Sequence, residues 1–178
     1  MAVEAIGVFL VIRDGQTGDV EYRFHNAPQK GSNGLPVYSY RTDVVEGTSR
    51  TYNYIPFIYQ GGTRNRSGDN ITAGIGLAPN EISMAFAADI TETVDANNAE
   101  RLPMIVRAVT VAMDPQTYTT TDKIITDETW VAAGMTYNAD LLEIVLSSAI
   151  DAVNALAPSY CLSRYNVGRL PVSTSVQI

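Results

Sequence analysis

The sequence predicts a mainly β protein with a β-hairpin at its N-terminus and one short helix near its C-terminus. Three observations carry this prediction. Apolar and polar residues alternate with a period of two in several runs, which is typical of strands. A turn of five residues, two of them glycine, joins the first two of these runs. Only one window, residues 147–157, has the spacing of apolar residues that a helix requires.

The N-terminal hairpin is the clearest local signal. Residues 5–13 are rich in β-branched and aromatic side chains, and residues 19–25 alternate apolar with charged side chains. Residues 14–18 between them have the composition of a turn, so the two runs are predicted to pair. Residues 26–34 follow with the composition of a loop.

The middle of the chain is rich in tyrosine and is predicted to be extended. Pro56 cannot donate a backbone hydrogen bond, so residues 35–62 are predicted to form an edge strand or an extended arm. A polar loop over residues 61–69 separates this region from two predicted strands, residues 71–77 and residues 82–87.

The second half of the chain is predicted to alternate strands with polar connections. Residues 91–100 form a polar connection, and residues 104–113 alternate as a strand. Pro115 and the threonines that follow it predict a turn and loop. Residues 124–125 and 130–131 are predicted to be short pieces of strand.

The last predicted strand, residues 137–147, carries apolar side chains on both faces and is expected to be buried. The predicted helix follows it, because Ser148 fits a capping pattern, the next apolar residues share one helical face, and Pro158 ends the pattern. No repeat, linker or charge block divides the sequence, so residues 1–178 are predicted to form a single domain.

The charge of the protein disfavours one function class and favours another. The formal net charge is −7, whereas a protein that grips a nucleic-acid backbone is normally basic. The twelve cationic side chains are ten arginines and only two lysines, Lys30 and Lys123. Arginine is the cation enriched at protein interfaces, because its flat guanidinium is weakly hydrated. This balance favours a component of an assembly.

Residues that could carry catalysis or bind a cofactor are few. His25 is the sole histidine and Cys161 the sole cysteine, so a thiolate zinc site is excluded, and no G-x-S-x-G motif supplies a nucleophile for the histidine. We therefore predict no enzymatic activity and no cofactor. The longest apolar run, residues 5–12, is too short to span a bilayer, so no membrane anchor is predicted.

Two groups of carboxylates are the remaining candidates for chemistry. Asp122, Asp127 and Glu128 come nearest to a calcium site but lack the D-x-D-x-D-G loop. Asp89 and Glu92 are a candidate acid pair for a hydrolase, although a solvated acidic loop is the simpler interpretation.

Two regions of the sequence together resemble a known family. The first combines YRFHN at residues 22–26 with IPFIYQG at residues 55–61. The second begins with LSSAID at residues 146–151 and continues beyond Pro158 to LSRYNVGRLP at residues 162–171. This order resembles tail-tip proteins of long-tailed bacteriophages, of the kind related to the minor tail protein L of lambda-like phages. The lambda-type relatives carry an additional cysteine-rich domain that holds an iron–sulfur cluster, and the single cysteine here implies no cluster.

The resemblance implies an antiparallel β-barrel or sandwich with extended arms that forms part of a tail-tip or baseplate ring around the DNA-ejection channel. The implied partners are copies of itself, as a trimer or secondly a hexamer, and other tail proteins such as the distal tail, hub and tape-measure proteins. The implied location is the tail of the virion, assembled in the cytoplasm of the bacterial host. Phage DNA would pass through the lumen, where acidic side chains repel phosphate and keep the duplex from adhering.

Six side chains are predicted to contact neighbouring subunits, because tyrosine and arginine are enriched at interfaces. They are Tyr52, Tyr54, Arg64, Arg66, Arg164 and Arg169. Two alternatives stay open. One is another virion role, such as a head–tail connector or a capsid decoration protein. The other is a β-sandwich binding module that recognises a host surface glycan by stacking sugars on its tyrosines, Tyr38, Tyr40, Tyr52, Tyr54 and Tyr59.

Overall fold

A computed structural model of the protein describes residues 5–64, 71–94, 102–138 and 140–148, and it confirms the prediction of a mainly β fold. The elements in chain order are β1 (Ala5–Arg13), β2 (Val20–His25), β3 (Gln29–Lys30), β4 (Pro36–Val37), β5 (Arg41–Asp43), β6 (Arg50–Tyr54), β7 (Phe57–Arg64), β8 (Ile71–Leu77), α1 (Glu81–Val94), β9 (Ile105–Met113), β10 (Thr120–Tyr137) and β11 (Leu142–Ser147).

Nine of these strands form one large sheet. Their order is β5-β6-β2-β1-β9-β10-β11-β8-β7, while β3 and β4 pair separately. Neighbouring strands of the large sheet run antiparallel, as predicted, except that β6 lies parallel to β2. The parallel pair arises because residues 26–49 carry the chain back before β6 begins.

The sheet is rolled rather than flat. In a flat sheet, the seven spacings between β6 and β7 would separate these strands by about 34 Å. Only Ile55 and Pro56 connect them, and two residues bridge about 11 Å at most. Asn26 helps to close the roll: its Oδ1 accepts a hydrogen bond from the Val8 amide at 2.9 Å, and its Nδ2 donates to the Phe57 carbonyl at 3.2 Å. These contacts place Pro56 at the junction of two sheet ends, where a residue without an N–H is tolerated.

The rolled sheet has an inner and an outer face, each with its own buried core. Alternate residues of β1 point to opposite faces, so Leu10 and Ile12 join the inner core while Phe9 and Val11 join the outer one. Helix α1 covers the inner face with Phe86. The outer core is smaller and consists of Phe9, Val11, Tyr52, Val109 and Val111.

Helix α1 replaces the strand that was predicted over residues 82–87, and that prediction is wrong. Asn80 and Ser83 form a reciprocal cap, in which each side chain accepts a hydrogen bond from the other residue's amide at 2.8 Å. The buried residues Ser83, Phe86 and Ile90 follow the 3- and 4-residue spacing of one helical face. Burial of that face favours the helix over the period-two pattern of the same residues.

Two other expectations changed, and a third is not tested. The short pieces predicted near residues 124 and 130 are parts of the continuous strand β10, which begins at Thr120 within the predicted loop. Strand β11 is not buried on both faces, because Glu143 and Val145 are exposed. The helix predicted over residues 147–157 cannot be compared beyond Ser148, since residues 149–178 lie outside the described residues.

The structure also contains a repeat that was not predicted. Shifting β1 by 100 residues gives β9, and the turn after each strand has the sequence D-x-Q-T-x. In both turns, the aspartate Oδ1 accepts hydrogen bonds from the amides two and three residues later, at 2.7 Å for both after Asp14 and at 2.7 and 3.2 Å after Asp114. Because β1 pairs with β9 around Phe9 and Val109, the two hairpins are related by a local pseudo-twofold axis at that pair.

Candidate interaction surface

The outer face of the sheet is covered by a segment of the chain that we call the strap, residues 41–54. The strap holds β5 and β6, and its Tyr52 is fully buried against Phe9, with ring centroids 5.1 Å apart. Beyond this contact, polar and charged side chains carry much of the attachment. Two charged side chains of the strap, Glu46 and Arg41, contact the rest of the sheet: Glu46 through arginines and Arg41 through the Tyr118 carbonyl.

The first site gathers three donors around one carboxylate. Glu46 accepts a hydrogen bond from Arg23 Nε at 2.6 Å and from the Tyr52 hydroxyl at 3.0 Å, and Arg13 Nη2 lies 3.5 Å away. Burial alone would raise the pKa of Glu46, but the hydrogen bonds from Arg23 and Tyr52 outweigh it and lower the pKa. Glu46 is therefore held ionised, and it ties the strap to β1 and β2.

The second site is a buried arginine. Arg41 is 7% exposed; its Nη2 lies 2.9 Å from Asp43 Oδ2 and donates to the Tyr118 carbonyl at 3.3 Å. Its guanidinium carbon lies 5.5 Å from the centre of the Phe9 ring. The Nε and Nη1 atoms have no hydrogen-bond partner among the described residues. Since a buried charge with unsatisfied donors is costly, this anchor holds the strap less strongly than full pairing would.

The residues before the strap form a second segment, the arm, residues 26–40. Its base is fixed by His25, which is fully buried and whose Nε2 lies 2.9 Å from the Ser39 carbonyl oxygen. Gln29 adds hydrogen bonds to the carbonyls of Ser39 and Tyr40 at 3.1 and 2.6 Å. Burial lowers the pKa of His25 to about 4, and the nearby Arg41 charge adds to that effect, so the imidazole is neutral at pH 7.

Beyond its base, the arm exposes apolar side chains. Leu35, Tyr38 and Tyr40 are 62%, 57% and 69% exposed, and Val37 is also exposed. Tyr38 contacts Tyr54 with ring centroids 5.1 Å apart but is otherwise open to solvent. Single exposed apolar residues are ordinary, whereas a group of them on one short segment marks a surface for a partner.

A second apolar surface lies at the C-terminal end of β10. A groove of about 490 Å³ runs between α1 and the sheet. Its lining is mostly apolar: Met84, Ala87, Ala88, Thr91, Glu92, Met135, Tyr137 and Leu142. The helix that forms one wall carries three acidic residues and no basic one.

The predicted contact residues fall into different environments. Tyr52 is buried in the core of its own chain, so its side chain is not on the surface, which corrects its expected role. Tyr54 is half-buried between Tyr38 and His25 at the base of the arm. Arg64 ends β7 opposite Ile71, and its side chain lies outside what the structure describes. Arg66, Arg164 and Arg169 also lie outside the described residues.

The tyrosines proposed for glycan stacking do not form one group. Tyr38, Tyr40 and Tyr54 belong to the arm and its base, whereas Tyr52 is buried under the strap. Tyr59 belongs to the inner face, where its hydroxyl donates to Glu128 and accepts a hydrogen bond from Trp130 Nε1 at 2.7 Å. Burial and Glu128 raise the pKa of Tyr59.

Three of the five candidate carboxylates, Asp127, Glu128 and Asp89, are engaged in separate contacts. Asp127 forms a two-point pair with Arg107 at 2.8 and 2.7 Å, while Glu128 accepts the hydrogen bond from Tyr59. Asp89 accepts a hydrogen bond from Tyr22, and burial together with that contact raises the pKa of the phenol to about 12. Within the described parts of the chain, no three histidine, cysteine or acidic side chains converge as a metal site would require.

Comparison with known proteins does not assign the chain to a family. No protein-family model matches the chain, and no curated protein sequence matches it. Among the residues that the structure describes, no helix combines the length and the apolar character needed to cross a membrane.

Proposed function

We propose that the protein is a structural subunit that assembles with copies of itself, and that its assembly is a tail-tip or baseplate ring around the DNA-ejection channel of a bacteriophage. The exposed apolar side chains of the arm are the observation that supports self-association. Leu35 and Tyr40 are more than 60% exposed on a segment whose base is firmly attached. A preorganised apolar segment loses little entropy when a partner covers it.

The tail-tip location rests on the sequence resemblance and on charge. A ring around a DNA channel needs a surface to which phosphate does not adhere, and the net charge of −7 supplies it. The rolled sheet provides a rigid body that carries the arm at one end. The subunit has no catalytic role in this proposal, because the titratable groups described above serve to hold the strap and the core.

Sedimentation of the purified chain tests the self-association. We expect a concentration-dependent oligomer, and the double variant Leu35→Ser, Tyr40→Ser should weaken it at least about tenfold, which equals 1.4 kcal/mol. Val145→Ser is the matched control, because Val145 is exposed but lies on β11, outside both the arm and the strap. A chain that stays monomeric at all concentrations contradicts the proposal.

The location is tested separately in phage particles. Copy number per particle, measured by quantitative mass spectrometry, should be a multiple of three. One copy per particle would contradict a ring. Specific binding of a glycan that requires Tyr38 and Tyr40, without self-association, would favour the binding module instead.

A further inference from the structure

We infer that the N-terminal half of β10 is a site for an added strand, and that the C-terminal segment of the same chain, residues 172–178, occupies it. The inference goes beyond the proposed function and holds whether or not the subunits assemble. It depends on a strand edge that lacks a neighbour. The segment lies outside the described residues, whereas the site lies entirely within them.

Strand β10 is longer than the strands on either side of it. It pairs with β9 along residues 120–131 on one side, but with β11 only along residues 131–137 on the other. Among the residues that the structure describes, residues 121–129 therefore have no strand on the side away from β9. Most of these residues are exposed, Ile124 and Ile125 among them. Unpaired backbone groups beside exposed apolar side chains form a template for another strand.

The first hairpin shows how the equivalent edge is covered elsewhere in the molecule. His25 of β2 lies opposite Phe9 and pairs on its other side with Tyr54 of β6. The pseudo-twofold axis relates Phe9 to Val109, so the equivalent of His25 is Asp127, which lies opposite Val109 on β10. In the described part of the chain, no strand lies on the other side of Asp127. An added strand there would complete the correspondence between the two hairpins.

One segment outside the described residues is long enough to cover this edge. Nine extended residues span about 30 Å, and residues 149–178 exceed that length. They follow β11, whose Ser147 pairs with Val131 at the point where the open edge begins. The other segments of more than one residue that lie outside the described residues contain seven residues or fewer: 1–4, 65–70 and 95–101.

The last residues of this segment have the sequence pattern of a strand. Four β-branched residues alternate there with serine and glutamine: Val172, Thr174, Val176 and Ile178. On an added strand, one face would carry these side chains, which suit cross-strand pairs with the exposed isoleucines of β10. The chain between Ser148 and Val172 is long enough to reach any point of the edge, since nine extended residues already span it.

Charge and tethering favour this occupant over the β10 edge of a second copy. Residues 121–129 carry three carboxylates and one lysine, and Arg107 of β9 pairs with one of the carboxylates, Asp127. The edge of a second copy would bring the same excess of carboxylates against them. Residues 159–178 instead carry two arginines and no acidic side chain. Because they belong to the same chain, they also meet the edge without the loss of translational freedom that binding a second molecule entails.

Amide exchange in the full-length chain, followed by NMR, tests whether the edge is covered. In the natural chain, the amides of residues 121–129 that point away from β9 should be protected. Val176→Asp should accelerate their exchange at least about tenfold, while the amides of β1 and α1 keep their protection. Val167→Asp is the matched control, because it makes the same change outside residues 172–178, and it should leave the exchange unaltered. Fast exchange of these amides in the natural chain, or equal effects of the two variants, would contradict the inference.

Spin labelling distinguishes the chain's own segment from that of a second copy. With Cys161→Ser removing the natural thiol, a nitroxide is attached through Ser175→Cys. It should broaden the amide signals of residues 121–129 when the nitroxide and the ¹⁵N label are on one chain. It should not do so when they are on separate chains that have been refolded together. Broadening across chains would assign the edge to a second copy, and no broadening in either sample would leave it uncovered; both results overturn the inference. Sedimentation tests the proposed self-association separately, so either idea can fail while the other stands.

Discussion

The two faces of the rolled sheet are covered in opposite ways. On the inner face, α1 adds Phe86 and Ile90 to a continuous apolar core, with Phe86 packed 5.6 Å from the Phe24 ring centre. On the outer face, the strap lies over a small apolar patch and is fixed by the ion pair of Glu46 with Arg23 and by Arg41, which donates to the Tyr118 carbonyl. Apolar packing does not titrate, whereas ion pairs and a neutral buried histidine do. The inner face is therefore the stable platform, and the outer face is the part whose stability depends on pH and salt.

This difference places the two apolar surfaces, the arm and the groove, on unequal supports. The groove is built on α1 and the inner core, so its shape should persist across conditions. The arm continues directly into the strap, and both share the anchors at His25 and Arg41. Conditions that loosen the strap should consequently weaken assembly before they unfold the sheet.

The largest expected effect is on the inner face. Phe86→Ala should lower the free energy of unfolding by about 3–5 kcal/mol, because it removes a fully buried ring and leaves a cavity. Met84→Ala on the same helix is the control, since Met84 is 42% exposed and should cost less than about 1 kcal/mol. Denaturant titration measures both. Equal effects of the two variants would show that α1 does not seal a core.

A smaller effect is expected from acidification, and it arises at the base of the arm. The folded pKa of His25 is about 4, below the ordinary value of 6.5, so between these values the unfolded chain binds more protons. Stability should therefore fall as the pH drops below about 6.5 and lose at most about 3 kcal/mol by pH 4.

Two measurements isolate this histidine from the carboxylates. Because His25 is the sole histidine, its imidazole resonances report its pKa directly in the folded protein. The difference between the pH profiles of the natural chain and His25→Gln should follow the same curve. A folded-state pKa near 6.5 would contradict the buried, neutral histidine.

Glu46→Gln should cost about 1–2 kcal/mol, because Arg23 and Tyr52 would lose a charged acceptor. The loss should be local: amide exchange should accelerate in the strap, residues 41–54, while the amides of α1 keep their protection. Glu21→Gln is the control, since Glu21 is an exposed glutamate on β2, two residues before Arg23. Uniform acceleration over both faces would contradict the separate stability of the strap.

The sequence predicted the inner face better than the outer one, except for its helix. Strands β2 and β8 followed from alternation, because each buries one face in the inner core, whereas β1 followed from its β-branched and aromatic side chains, which are buried on both faces. The helix was misassigned because Ile82, Met84 and Phe86 also alternate. The cap formed by Asn80 and Ser83 is a signal in the sequence that could have identified it.

The candidate surfaces were harder to predict, because they depend on residues that are distant in sequence. The groove needs α1 beside the ends of β10 and β11, and nothing in the sequence of Met84 or Tyr137 indicates that proximity. Glu46 binds arginines 33 and 23 residues away. The predicted contacts therefore named residue types that interfaces favour, and Tyr52 shows why type alone fails, since its ring was needed inside.

The smallest expected effect compares the two related turns that border the strap anchors. Gly18 and Tyr118 occupy the same left-handed position, with φ of 76° and 54°, and their carbonyls accept hydrogen bonds from Arg13 and Arg41 respectively. A side chain in this conformation costs about 1 kcal/mol relative to glycine.

A Cβ at Gly18 would contact nothing within 4 Å, so Gly18→Ala should reveal this backbone cost alone. At the other turn, Tyr118→Gly should be more stable than Tyr118→Ala by the same amount, because the tyrosine ring is absent from both variants. Thermal unfolding of the four chains measures the two differences. Equal values would show that the hairpins are equivalent at the backbone and differ only in the strap contacts they support, whereas a larger value at Tyr118 would show that the Arg41 anchor depends on the geometry of its turn.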